Sequence, residues 1–128
     1  MRGRYSRLLL VLTAAALAGV ASSPAEAHHS FSMFDTSKTY SLDGAVREFQ
    51  WTNPHIWVQL LVKDGRGDDV EWSIEGGSAN TMARSGWSRR SLKRGDHAVI
   101  VIHPRKDGSN GGILVSASTN GGAIGHAP

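Results

Sequence analysis

The chain has 128 residues, no cysteine and a formal charge of +3. That excludes disulfides, thiol chemistry and more than one small domain. Removing residues 1–27, with Arg2, Arg4, Arg7 and Glu26, takes the charge from +3 to +1, too even a balance for electrostatic recruitment of nucleic acid.

The start reads as a secretory signal. Arg2, Arg4 and Arg7 precede an apolar run from Leu8 to Val20, 13 residues long, where a membrane span needs about 20. Ala25-Glu26-Ala27 supplies the small-x-small pattern for cleavage. No arginine pair precedes the run and no cysteine follows it, so the general secretion route is expected, without a lipid anchor. The expected organisation is a signal peptide over 1–27, an arm over 28–39, a domain over 40–119 and a flexible tail over 120–128. The mature protein is then periplasmic or secreted and does not span the membrane.

Phe31, Met33 and Phe34 are expected to pin the arm to the body. Tyr40 to Trp51 reads as a first strand. Leu42 and Val46 share one parity and Phe49 and Trp51 the other, so a bulge is predicted near Arg47–Glu48. Asn53-Pro54 marks a corner. Ile56, Val58, Leu60 and Val62 alternate with polar residues and Trp57, as a half-buried second strand does. Asp64 to Asp68 is a hairpin loop, and Val70, Trp72 and Ile74 face inward from a third strand. Ser78 caps a short helix, Ala79 to Ser85, which Gly86 ends. Met82 faces the core from that helix, with Trp87 beneath it. A fourth strand runs from His97 to His103 with Ala98, Ile100 and Ile102 inward; cover over Val99 and Val101 is assigned to the arm. After a long loop to Gly112 comes a fifth strand, Ile113 to Ser118.

Three strands, one short helix and two strands, the first strand bent, predict an all-β fold with one short helix: a five-stranded OB-like Greek-key barrel. The alternative is a small open β-sandwich.

His28-His29-Ser30-Phe31, Trp51-Thr52-Asn53-Pro54-His55, Gly76-Gly77-Ser78, Gly86-Trp87, Gly95-Asp96 and His103-Pro104 together resemble an uncharacterised family of small secreted proteobacterial proteins, a domain of unknown function. The resemblance covers nearly the whole mature chain and implies secretion and a small β domain, but no activity. Ala79 stands where the resemblance leads one to expect proline.

Cleavage after Ala27 gives His28 both a free amine and an imidazole, and an amine with a pKa near 8 yields its proton to a metal. With His29 or His55 as second ligand, and His103 as a further candidate, this is a nitrogen-rich site suited to copper(II), with zinc as the alternative ion. It resembles secreted histidine-brace copper sites. Cleavage one residue earlier places a histidine third, another copper-chelating arrangement. Asp35 and Glu75 are candidate carboxylate ligands, while His97 and His126 read as surface residues. The second candidate site is the barrel face around Trp57, with Trp51 nearby, where a ring could stack on a sugar or peptide. Gly76-Gly77-Ser78 is explained by its loop and cap. Arg84, Arg89, Arg90, Lys93 and Arg94 form a basic cluster that reads as a solvated face. No nucleophile elbow, P-loop, HExxH or cysteine nucleophile occurs. The expected role is binding of a small ligand or a periplasmic protein, with an unrecognised enzyme as the further alternative.

Overall fold

The computed structural model describes residues 31–128. The predicted signal, His28 and His29 lie outside the described residues. The elements are β1 (Tyr40–Gln50), β2 (Trp57–Lys63), β3 (Asp69–Glu75), α1 (Ala79–Arg84), β4 (His97–Pro104), β5 (Gly111–Thr119) and β6 (Gly122–His126).

Five strands close the predicted barrel. β1 pairs antiparallel with β2 and β4, β2 with β3, and β4 with β5; β3 and β5 pair in parallel through Ser73–Gly111, Ile74–Gly112 and Glu75–Ile113. This is the OB-type barrel rather than an open sandwich. β1 bends as it passes from one neighbour to the other. Tyr40–Ala45 pairs with β4, whereas Glu48–Gln50 continues on β2, and the register slips between Val46 and Glu48. Arg47 is the extra residue, where the parity change places a bulge. The chain ahead of β4 locks onto this bend: Val46 N–H donates to Asp96 O at 2.8 Å and Gly95 N–H to Val46 O at 2.8 Å.

Val46, Val58, Leu60, Ile74, Ala98, Ile100, Ile102 and Leu114 fill the interior. Each larger side chain among them contributes about 1.5–3 kcal/mol by leaving water. α1 covers one end, placing Ala79 and Met82 inward over buried Trp87. Its start is held from two directions. Ser78 Oγ accepts from Thr81 N–H at 3.1 Å, and Asn53 Oδ1, from the corner between β1 and β2, accepts from Ala79 N–H at 3.0 Å. The Asn53–Pro54 bond in that corner is cis. Ile56 N–H donates to Gly77 O and Gly76 N–H to Ile56 O. Corner and helix cap are thus one unit. Gly76 is required there, since a Cβ on it would lie 2.5 Å from Ile56 Cγ1.

Four expectations need correction. Residues 122–126 are not a frayed tail but a sixth strand on β5. Its glycines permit close packing: Gly125 has φ +149°, and a Cβ there would meet Ser85 O at 3.1 Å and Trp87 Nε1 at 3.2 Å. β6, not the arm, flanks Val99 and Val101 across a small groove. The arm lies elsewhere: Phe34 is buried and bridges to Arg105, and Lys106 N–H donates to Met33 O, while Phe31 and Met33 stay exposed. Trp72 packs only partly into the core and meets Tyr40 edge-on at 6.5 Å. β5 begins at Gly111, two residues earlier than expected, because its first residues close the barrel against β3.

Candidate functional site

The corner that anchors α1 also sets His55. Its Nδ1 lies 3.0 Å from Gly76 O and 3.3 Å from Glu75 Oε1. A carbonyl only accepts, so Nδ1 is the donor in the contact with Gly76. His103 is held the same way, its Nδ1 being 2.7 Å from Lys38 O. Protein-bound metals commonly meet imidazoles in this state, one nitrogen donating to the protein and the other facing the ion. The structure does not bring these rings into a multidentate centre: among the described residues, no three His, Cys, Asp or Glu side chains could hold a metal. Glu75 joins His55 but is buried at the strand end. Asp35 is engaged with Ser37 and Lys38, and its carboxyl is held below the ordinary range first by the Ser37 hydroxyl and then by Lys38.

His103 has a neighbour in His126, which is exposed as the sequence predicts. His126, brought back by β6, lines with it a groove of about 270 Å³ together with Phe31, Ile113, Val115 and Pro128. The signal for this was weak, because only the pairing of β6 on β5 places His126 there.

The tryptophans separate into two kinds. Trp51 and Trp87 belong to an aromatic group around Phe49, with ring centroids 5.9 Å and 6.4 Å from it. Trp57 projects from the outer face of β2, half-buried, with Gln50 and Glu75 opposite it on the two neighbouring strands. Gln59, on the same face, donates to Ser73 Oγ at 3.2 Å. Trp51 packs partly against the core beside Phe49, and Trp57 stands on the outer face of β2.

The bend in β1 also creates a cleft. Arg47, Glu48 and Phe49 form one wall and Leu92, Lys93 and Arg94 the other, around a volume of about 510 Å³. The predicted basic cluster supplies two of its cations; Arg47, the bulge residue of β1, supplies the third.

No helix among the described residues is long and apolar enough to cross a membrane. No curated protein matches the chain. Among solved structures it is similar to Rim1, a mitochondrial single-stranded DNA binding protein from S. cerevisiae. The identity is 12%, the TM-score 0.47, and the match covers 70% of this chain and 97% of that one. So loose a likeness says nothing of what the chain binds. The model of DUF6152, a family of unknown function, matches residues 16–116; the chain belongs to that family.

Proposed function

We propose that the protein is exported, cut after Ala27, and serves as a copper(II)-binding protein rather than an enzyme. The observation that supports this reading is the placement of His28-His29 directly behind Ala25-Glu26-Ala27. The new α-amine, the His28 imidazole and His29 offer nitrogen donors within two adjacent residues, the chemistry copper(II) favours. Zinc is the competing ion. The test is a copper(II) titration of the natively processed protein, followed by spin resonance. Submicromolar affinity that disappears in His28→Ala, or on acetylating the amine, is expected. Micromolar or weaker affinity, or indifference to both changes, contradicts the reading.

A second reading rests on Trp57. A half-buried indole beside Gln50, Gln59 and Glu75 combines a stacking surface with hydrogen-bonding groups on the face OB barrels use for oligosaccharides and oligonucleotides. Glu48, exposed beside this face, disfavours a polyanion, so the ligand class is a neutral sugar or a peptide. Trp57→Ala is expected to remove binding in a glycan and peptide array while costing less stability than the about 3–5 kcal/mol of a fully buried aromatic. Unaltered binding by the variant would eliminate this face.

A further inference from the structure

Five cations occur between Arg84 and Arg94, with no acidic residue among them. Among the described residues, none of them lies within 4.0 Å of a carboxylate. By contrast Lys38, Arg47, Lys63 and Arg66 each have an acidic partner. A solvated face accounts for exposed charge but not for its placement. Lys93 and Arg94 stand across an open cleft from Arg47, and the backbone carrying them is held: Leu92 is buried at 2% exposure, Lys93 N–H donates to Asp96 Oδ2 at 2.9 Å, and Gly95 N–H donates to Val46 O beside the bulge. Arg47 is already in an ion pair with Glu71, and a guanidinium with one such partner keeps further N–H groups for another acceptor.

From this arrangement we infer that the cleft binds a phosphorylated polyol. Lys93 and Arg94 stand on one wall and Arg47, already paired with Glu71, on the other, and charge-assisted hydrogen bonds from guanidinium and ammonium suit phosphate. Glu48 on the same wall excludes a densely charged polyanion yet accepts from hydroxyls; its carboxylate already takes Gln50 Nε2 at 3.0 Å. Phe49 gives the wall an apolar surface for the carbon skeleton. About 510 Å³ accommodates a small molecule or a single lipid headgroup. The site is independent of the amino-terminal histidines and of Trp57.

The probes are glycerol 3-phosphate, inorganic phosphate, and phosphatidylcholine vesicles containing about one fifth phosphatidylglycerol, each titrated calorimetrically into the natively processed protein at low salt. Saturable binding of glycerol 3-phosphate, tighter than that of inorganic phosphate, supports the inference and identifies a free ligand. Binding of the vesicles alone supports it and identifies a headgroup. In either case the double variant Lys93→Ala, Arg94→Ala is expected to weaken binding at least about tenfold. Arg89→Ala with Arg90→Ala, outside the cleft wall, is expected to change it less than about twofold, as screened surface charges do. Binding to none of the probes, inorganic phosphate binding as tightly as glycerol 3-phosphate, equal losses in the two double variants, or preferential binding of an added oligothymidylate overturns the inference.

Discussion

The β2–β3 hairpin and the segment between α1 and β4 are both rich in charge and use it in opposite ways. In the hairpin the charges are paired, with one another or with Arg47 of β1. Lys63 Nζ lies 2.8 Å from Asp69, Arg66 Nε 3.6 Å from Asp64, and Glu71 takes Arg47. Asp64 also closes the loop, accepting from Arg66 N–H at 2.8 Å and Asp68 N–H at 3.0 Å. In the other segment the shape is set by Leu92 and by backbone bonds to β1, so its cations are not needed to hold the loop. Charge that holds a loop is already neutralised, whereas charge on a loop held by other means is available to a ligand.

The comparison is most severely tested beneath the basic segment. Leu92→Ala is expected to cost about 2–4 kcal/mol in urea unfolding, because a buried leucine leaves a cavity. A loss below about 1 kcal/mol would mean that the segment is not anchored. In the acidic hairpin, Asp64→Ala should lower the melting temperature at neutral pH. The backbone N–H of Arg66 and then that of Asp68 hold the Asp64 carboxyl below its ordinary pKa. Its contribution is therefore complete above the unfolded-state value and is lost as pH falls through the lower folded value. The difference between wild type and variant should close on acidification, and a pH-independent difference would refute the capping role. A double-mutant cycle on Arg47→Ala and Glu71→Ala is expected to give a coupling below about 1 kcal/mol, since both side chains are well exposed and water screens the pair. The smallest effect belongs to Lys93→Ala with Arg94→Ala, expected to leave unfolding stability within about 0.5 kcal/mol; a clear loss would make these cations structural.

Much of the barrel was legible in the residues. The parity change between Val46 and Phe49 placed the bulge, Val58 and Leu60 marked the inner face of β2, and Ser78 marked the helix cap. Those are local signals. The closing β3–β5 pair was not visible, because parallel pairing joins residues far apart in sequence without a turn to announce it. β6 was missed for a related reason: Gly121, Gly122 and Gly125 read as disorder, although Gly125 is small because Trp87 and Ser85 lie directly against it. The cleft was half legible. The cations of 89–94 are plain in the sequence, but only the hydrogen bonds of Gly95 and Asp96 to Val46 bring them opposite Arg47. His55 and His103 were visible as candidate ligands, while their carbonyl partners, to which Nδ1 donates, were not.

The most direct test of the central claim, that charge left unpaired on an anchored loop forms a binding site while charge paired within a hairpin does not, is a two-dimensional amide NMR titration with glycerol 3-phosphate. The account predicts saturable shifts confined to Arg47–Phe49, Leu92–Arg94 and Glu71, the ion-pair partner of Arg47, with residues 63–69 unmoved. Shifts centred on the hairpin, or spread evenly over every exposed cation, would contradict it.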